Sequence, residues 1–400
     1  MSETILWKHL NELGQIGRET DGSITRFPFT HEDFLAEKKI WQYMEEAALQ
    51  IFRDAAGNLI GKWEGSAPDE PPVLCGSHYD TVRNGGMFDG TLGLLAGIEA
   101  VRLLRQEGFQ PRRTILIVGF KDEEGNRFGF GMIGSKSICG MVSAKDLSAK
   151  DQNGISLSDA MIQSGLYPEK LKTCILSPIH CMLELHIEQG KVLEENGCSI
   201  GIVSGIAGLI RYTITICGTS GHSGATPMHG RKDPVVLMSQ WIMHVTKLAA
   251  SHKNCVATIG SIHTFPGECN IICDHVTFTL DLRSTDEPYL YTVLNEMKQF
   301  ETENNMTVHY QLEQKLPAAL CDENLCQKAE DICKKNHFPF IPCVSGAGHD
   351  AMNFRNHCPI GMVFVPSRNG YSHRKEEYTS PEDCQKGMLV LKELLKLESC

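Results

Sequence analysis

The chain of 400 residues lacks long hydrophobic runs and any excess of basic residues. Its longest clearly apolar strand is 115–120, whereas a membrane-spanning helix needs about 20 apolar residues. The N-terminal residues include Glu3 and no apolar core, so we expect no secretory signal and a cytoplasmic protein. With 38 Lys+Arg against 49 Asp+Glu, the net charge of −11 argues against nucleic acid or anionic membranes as partners.

The 16 cysteines also lack the spacing of a cysteine-based metal site or a disulfide framework. No two of them form a Cys-x-x-Cys pair, and the close pair Cys269 and Cys273 has no matching partner pair at zinc-ribbon spacing. We therefore expect reduced thiols, without structural zinc on cysteine.

The order of apolar segments predicts an α/β fold with an inserted domain. Strand patterns at 72–75 and 114–120 enclose a helical pattern at 92–106, the rhythm of a mostly parallel sheet flanked by helices. From Arg211 to Leu312 the order is strand, helix, two strands, helix and strand, which is typical of a ferredoxin-like α+β domain. We predict one discontinuous domain, 1–208 and 318–400, with 209–317 inserted.

The first polar cluster follows the strand at 72–75. His78 and Asp80 are two residues apart, so on an extended chain both point to one side, and Asp80 could accept the spare ring N–H of His78. Asp89 follows a glycine-rich turn, and its two oxygens could bridge two cations. The alternative is an ordinary strand and turn in which Asp89 caps the next helix.

Three consecutive acids follow the strand at 114–120. It costs free energy to place the negative charges of Asp122, Glu123 and Glu124 at the end of a buried strand unless positive charge lies nearby. A metal would supply that charge. Because adjacent carboxylates project differently, one can bind the metal while its neighbour transfers protons. The alternative is a solvated acidic turn.

Two further histidines follow apolar strands. His186 lies in a strand-to-loop transition, where a lone histidine is more often structural, and His373 lies in a polar loop. Five side chains together form a nitrogen- and oxygen-rich set suited to zinc, manganese or cobalt: His78, Asp89, Glu124, His186 and His373.

The predicted inserted domain carries three more candidates. His222 lies in a loop of small residues, and Asn270 and Arg283 flank one hairpin-like region. An Arg in a mostly apolar strand calls for a carboxylate, which it can bind through two parallel hydrogen bonds. That carboxylate could be a substrate's, or Arg283 could simply pair with Asp281.

The ordered motifs resemble the hydantoinase/carbamoylase family of dinuclear-metal amidohydrolases, in the aminoacylase and metallo-carboxypeptidase clan. They span nearly the whole chain: Gly-Ser-His78-x-Asp80-Thr, Gly-Gly-x-x-Asp89-Gly, Glu123-Glu124-Gly-x-Arg-Phe, Glu-Leu-His186-Ile-Glu-Gln-Gly, His222-x-Gly-x-Thr-Pro-Met, Ser345-Gly-Ala-Gly-His349-Asp350-Ala and Ser372-His373.

This resemblance implies a role for each matching residue. One metal would be bound by His78, Asp89 and His186, and the other by Asp89, Glu124 and His373. The catalytic residues would be Glu123 as general base, Asp80 beside His78, and His222 as oxyanion stabiliser. The substrate contacts would be Gln189, His222, Asn270, Arg283, Gly346 and Ala347. An acidic residue expected near His373 could be Glu376 or Glu377, and spacing favours Glu377.

The resemblance also implies the activity and the partners. We expect two divalent ions per subunit, zinc or else manganese or cobalt, and a homodimer built through the inserted lid and dimerisation domain, with His222 reaching the neighbouring subunit's site. The expected reaction is hydrolysis of the ureido C–N bond of N-carbamoyl-L-amino acids. Allantoate, ureidoglycolate and β-ureidopropionate are alternative substrates. An aminoacylase or dipeptidase, or an inactive binding protein of the same fold, are more distant alternatives.

Overall fold

The structure is a computed structural model and describes residues 4–400. Its α-helices are α1 (Ile5–Leu13), α2 (His31–Glu46), α3 (Thr91–Gln106), α4 (Ile133–Ile138), α5 (Ala144–Ser148), α6 (Leu157–Gln163), α7 (Val192–Asn196), α8 (Pro234–Ala250), α9 (Glu287–Glu303), α10 (Glu323–Lys335) and α11 (Pro381–Glu398). Short 3-10 helices occur at Pro168–Cys174, Asp350–Asn356 and Arg368–Gly370.

The β-strands are β1 (Gln50–Arg53), β2 (Leu59–Trp63), β3 (Val73–His78), β4 (Ile115–Phe120), β5 (Cys181–Ile187), β6 (Ile200–Ile206), β7 (Gly208–Cys217), β8 (Gly221–His222), β9 (Cys255–Phe265), β10 (Ile271–Ile272), β11 (His275–Ser284), β12 (Thr307–Leu316), β13 (Ala319–Leu320), β14 (Phe340–Ser345) and β15 (Ile360–Val365).

The chain divides into two compact units. The larger ends at Ser204 and resumes from Leu320 to Cys400, and the smaller is Gly205–Ala319. The sequence placed the boundaries at 208/209 and 317/318, four and two residues away. The first boundary falls within β6, which runs on to Ile206.

The larger unit is built on a nine-stranded sheet. Eight strands follow the order β1-β2-β4-β3-β5-β15-β6-β13, and β14 pairs with β6. The four central strands, β4, β3, β5 and β15, are parallel, whereas β2 pairs with β4 and β6 pairs with β15 in antiparallel fashion. Every residue of the four central strands is buried, as a parallel sheet covered on both faces requires. The predicted α/β class is confirmed.

This topology brings the carboxyl ends of four neighbouring strands to one edge of the sheet. The helices α3 and α11 pack on each other and against the central strands. Such an edge is where open α/β sheets place their ligand crevices. The polar clusters singled out in the sequence follow these same four strands.

The smaller unit is a four-stranded antiparallel sheet with two helices. The sheet order is β12-β7-β11-β9, and the chain order β7-α8-β9-β11-α9-β12 matches the ferredoxin-like pattern. Buried and half-buried residues alternate along β11, as in a strand with one face on a core. That core includes Trp241 of α8 and Phe278 of β11, whose rings meet edge-on.

The sequence patterns missed the short elements of the chain. They gave no assignment to α4, α5 and α6, which are five to seven residues long, too short for a helical period to be read. They also missed β14 at the margin of the sheet.

Within residues 4–400, no helix has both the length and the apolar composition that a bilayer crossing would need.

Candidate metal centre

The four parallel strands carry the predicted ligands to a common edge. His78 is the last residue of β3 and lies opposite Phe120, the last residue of the neighbouring β4. His186 is the penultimate residue of β5, and His373 follows β15 in the next loop. Strand order therefore unites side chains that are up to almost 300 residues apart in sequence.

Asp89 lies at the centre of this group. Its Oδ1 is 3.1 Å from Nε2 of His186 and 3.5 Å from Nε2 of His78, and its Oδ2 is 3.2 Å from Nε2 of His373. Within residues 4–400, the ligand atoms of His78, Asp89 and His186 lie within 4.8 Å of one another, as do those of Asp89, Glu124 and His373. Each carboxylate oxygen thus faces a separate set of ligands.

Asp89 does not cap the helix that follows it. The residue before α3 is Gly90, and no side chain caps this helix. The carboxylate of Asp89, 7% exposed, is turned toward the three histidines instead. Although burial alone would raise its pKa, hydrogen bonds from His186, His373 and His78 hold the pKa of Asp89 well below its usual value.

The acids after β4 do not form a solvated turn. The side chains of Glu123 and Glu124 are each only 9% exposed. Oε2 of Glu123 lies 3.8 Å from Nε2 of His78, whereas Oε1 of Glu124 lies 3.5 Å from Nε2 of His373. The two adjacent carboxylates therefore lie beside different histidines, as expected if one binds a metal while the other transfers protons. Asp122, which precedes them, has a φ of 56°, a left-handed conformation that is uncommon outside glycine.

The side chains fit two divalent cations. Oε1 of Glu124 is buried and has no hydrogen-bond partner among residues 4–400. Burial, and then the charge of Asp89, raises the pKa of Glu124 to about 7, so this carboxylate would be fully ionised at neutral pH only beside added positive charge. Imidazole and carboxylate donors suit zinc, manganese and cobalt alike, so the donor set supports two ions without choosing between metals.

Asp80 acts on the centre differently from the sequence prediction. Nδ1 of His78 is 3.0 Å from the backbone carbonyl of Asp80 and 3.6 Å from its carboxylate. The carboxylate accepts instead the backbone N–H groups of Glu123 and Glu124, at 3.1 and 3.2 Å. Because the backbone carbonyl is the nearer acceptor of the ring N–H, the carboxylate is free to link the end of β3 to the loop after β4.

Three side chains, one from the turn after β5 and two from the loop after β15, form hydrogen bonds with Asp89. Nε2 of Gln189 and Oγ of Ser372 both donate to Oδ2 of Asp89, each at 2.9 Å. Glu377 is buried and accepts the backbone N–H groups of Phe88 and Asp89. Glu376 is exposed and pairs with Arg374. Of the two acids left open by the sequence, Glu377 is thus the one beside the centre.

Sequence reasoning gave no role to a buried layer behind His186. Glu184, on β5, accepts from Oγ of Ser77 at 2.7 Å and from the backbone N–H of Ala351 at 3.0 Å. His349 meets the His186 ring edge-on and bonds to Oγ of Ser345 at 2.8 Å. The sequence did carry a signal for Glu184, because a charged residue inside a fully buried strand requires buried polar partners.

The remaining predicted residues lie apart from the ligands or in the smaller unit. Ala347 follows Gly346 in the loop after β14, and its backbone N–H donates to Oγ of Ser345. In the smaller unit, the exposed His222 pairs through its backbone with Ile271, and Asn270 accepts from the backbone of Ser223. His222 and Asn270 are therefore neighbours across β8 and β10.

Arg283 has the local partner that the sequence analysis considered. Its Nε donates to Oδ1 of Asp281 at 2.7 Å, and its Nη2 to Oδ2 at 3.1 Å. Arg211 bonds to the same Oδ2. A role for Arg283 in substrate binding stays a prediction.

Replacing Gly90 with alanine should weaken metal binding. Gly90 has a φ of +62°, and a Cβ atom there would lie 2.4 Å from atoms of the His78 ring. Gly108→Ala is the matched control, because Gly108 has a φ of +73° and a Cβ there meets nothing within 4 Å among the described residues. Gly108→Ala should lose about 1–2 kcal/mol of unfolding free energy for an alanine at positive φ. Gly90→Ala should lose more, because its ψ of −51° lies outside the left-handed helical region and its Cβ meets the His78 ring. Only Gly90→Ala should also lose metal, as measured by elemental analysis. Equal metal content in both would contradict this role of Gly90.

Metal binding should release protons in a pH-dependent way. His373 donates a hydrogen bond to Asp89, which raises the pKa of His373 to about 9, and the pKa of Glu124 is about 7. Although burial alone would lower them, the pKa values of His78 and His186 are also raised, by hydrogen bonds to Asp89. Glu124 and the histidines must therefore lose protons to bind metal at pH 6, and above pH 7 the histidines are the main source of protons. Affinity should therefore rise with pH, more steeply below pH 7 than above. Calorimetry in buffers of different ionisation enthalpy measures the protons released. His373→Ala should reduce the release between pH 7 and 9, and an unchanged release would exclude His373 as a source.

Comparison with known proteins places this centre in a family. Residues 74–397 match the profile of peptidase family M20/M25/M40. An N-carbamoyl-L-amino acid amidohydrolase of Geobacillus stearothermophilus is 43% identical over 392 residues, covering 96% of each chain. An allantoate amidohydrolase of Bacillus subtilis is 34% identical over 394 residues, covering 97% of this chain and 95% of its own.

A solved structure agrees with these sequence matches. The amidase of the hydantoinase/carbamoylase family from Burkholderia multivorans superposes with a TM-score of 0.91 at 30% identity, covering 99% of this chain and 97% of that one. The resemblance drawn from the ordered motifs is therefore confirmed. The chain belongs to peptidase family M20/M25/M40 and, within it, to the hydantoinase/carbamoylase amidases.

Proposed function

We propose that this protein hydrolyses the ureido C–N bond of N-carbamoyl-L-amino acids, giving the amino acid, ammonia and carbon dioxide. The observation that carries the proposal is the position of Asp89, whose two oxygens face two separate ligand sets beside the carboxylate of Glu123. The 43% identity to an N-carbamoyl-L-amino acid amidohydrolase over nearly the full length supports this substrate class.

Glu123 supplies the proton transfer in this proposal. Bound divalent cations would acidify a water molecule and polarise the carbamoyl oxygen. Glu123 takes a proton from the water and gives it to the leaving amine. Burial raises the pKa of Glu123 well above its usual value, which favours a carboxyl that can hold the proton between these steps. The Asp80 carboxylate fixes the backbone of Glu123 and so positions the base.

We assign candidate substrate contacts in each unit separately. In the larger unit we assign them to Gln189, whose amide already lies against Asp89, and to the backbone at Gly346 and Ala347. In the smaller unit, His222 stabilises the developing oxyanion, while Asn270 and Arg283 bind the substrate carboxylate. For Arg283 this requires a carboxylate to share or replace its bond to Asp281.

We further propose zinc as the metal and a cytoplasmic homodimer as the working form. The dimer would form through the smaller unit, where β9 is an edge strand of its sheet. Large apolar side chains are exposed on both β9 and α8: Val235, Val236, Met243, Val256, Ile262 and Phe265. Light scattering of the purified protein tests this assembly, and a monomer at micromolar concentration would exclude it.

The substrate is tested by ammonia release from a panel of ureido compounds. The protein is loaded in turn with zinc, manganese and cobalt and offered N-carbamoyl-L-amino acids, allantoate, ureidoglycolate, N-carbamoyl-β-alanine and an N-acetyl amino acid. Turnover of the carbamoyl-L-amino acids above the others is expected. Preference for allantoate would favour the second candidate, which the 34% identity to an allantoate amidohydrolase supports, and cleavage of only the N-acetyl compound would overturn both.

A further inference from the structure

A second group of metal-binding side chains lies at the opposite end of β5. The strand begins at Cys181 and carries His186 five residues later, a separation of roughly 16 Å along an extended chain. His180, Cys181 and Glu398 each offer one donor atom, and these three atoms lie within 4.8 Å of one another. None of these residues takes part in the centre around Asp89.

We propose that His180, Cys181 and Glu398 form a separate binding site for a thiophilic divalent cation of the zinc type. Thiolate, imidazole and carboxylate are the donors that zinc accepts, and at zinc distances they lie roughly 3.3–3.7 Å apart around a tetrahedron. Nε2 of His180 is already 3.0 Å from Oε2 of Glu398. The site therefore needs only small side-chain movements to accept an ion.

The surroundings of the three donors fix the carboxylate and leave the histidine in contact with solvent. Lys328 bonds to Oε1 of Glu398 at 2.7 Å, so that Oε2 faces His180. The His180 side chain is 32% exposed, so solvent reaches the site from this side. Cys181 and Glu398 are 1% and 6% exposed and form the closed side of the site.

Binding requires the thiol proton to leave. On binding, the S–H bond breaks, the sulfur–metal bond forms and the proton passes to the buffer.

The site would join two distant parts of the larger unit. Glu398 is the last residue of α11, and Cys181 starts a central strand of the sheet. The negative end of the helix dipole also favours a cation there. An ion would thus tie the C-terminal helix to the amino edge of the sheet. Cysteine spacing could not reveal such a site, because it contains one cysteine and its third ligand is more than 200 residues away.

Cobalt distinguishes this site from the centre around Asp89. That centre consists of histidine and carboxylate ligands, so cobalt there gives no thiolate-to-cobalt charge-transfer absorption. The full chain is chelated, kept reduced with a phosphine, and titrated with Co²⁺ while the near-ultraviolet spectrum and bound cobalt are measured. We expect a charge-transfer band that saturates at one thiolate-bound cobalt per chain.

Four variants assign the band. Cys181→Ser should abolish the band and lower bound cobalt by one per chain. His180→Ala should weaken the cobalt affinity, as measured from the band intensity, at least tenfold. Cys343→Ser is the matched control and should keep the band, because it removes a half-buried thiol of β14 that belongs to none of the ligand groups among the described residues. If circular dichroism shows that Cys181→Ser folds poorly, Glu398→Gln is used in its place. It should also weaken the cobalt affinity measured from the band intensity. No band in the parent protein, or a band unchanged in Cys181→Ser and His180→Ala, would overturn the proposal.

Discussion

Replacing Glu123 with glutamine should reduce kcat by about 10²- to 10⁴-fold or more while leaving both metals bound. The amide keeps the shape of the side chain but cannot take a proton from water. Glu123 lies 3.8 Å from His78 yet outside the two ligand sets that share Asp89, so its loss should not release an ion. The measurement is kcat on an N-carbamoyl-L-amino acid together with metal content by elemental analysis.

Two controls separate proton transfer from a general effect of charge. Glu376→Gln removes an exposed acid from the same rim, where it pairs with Arg374, and should retain kcat. Glu123→Asp keeps a carboxylate but shortens it by one methylene group, so it should be slow yet faster than Glu123→Gln. If Glu123→Gln turned over at the parent rate, Glu123 could not be the base.

Replacing Asp89 with asparagine should cause the loss of both metal ions, whereas replacing His373 with alanine should cause the loss of mainly one. Asp89 has one oxygen within 3.5 Å of His78 and His186 and the other 3.2 Å from His373. An asparagine side chain has a single neutral oxygen, so it cannot offer a charged donor to each ion. Metal affinity should fall by more than the roughly 10- to 100-fold typical of residues outside the ligand set.

The comparison between these two variants tests the bridging role itself. Stoichiometry is measured after dialysis against a fixed low concentration of zinc, with folding checked by circular dichroism. Ser372→Ala is a milder control, because Ser372 donates to Oδ2 of Asp89 without offering a ligand to either set. Equal metal loss in Asp89→Asn and His373→Ala would mean that Asp89 serves one ion only.

The fold could be predicted where a regular pattern of apolar side chains extends over many residues. The helix α9 was predicted with the bounds that the structure shows, and β4 within one residue. Long amphipathic helices and buried parallel strands repeat one pattern over many residues, and the pattern then fixes the element. Short helices such as α5, with five residues and no buried side chain, carry no such pattern.

The clustering of the candidate ligands could be predicted because they follow neighbouring strands. A histidine or acid directly after an apolar run is visible in the sequence, and His78, His186 and Glu124 were all singled out in this way. What the sequence could not show is which neighbour accepts each hydrogen bond. The Asp80 carboxylate binds two backbone N–H groups of the next loop, an outcome set by strand pairing and not by its spacing from His78.

The most direct test of the account follows amino acid release from an N-carbamoyl-L-amino acid as zinc is returned to the chelated protein. We expect no turnover without metal and full activity only when the second equivalent fills the ligand set of Asp89, Glu124 and His373. Terminal ¹⁵N in the carbamoyl group should appear in ammonia. Turnover by the metal-free protein at the rate of the loaded one would contradict the account.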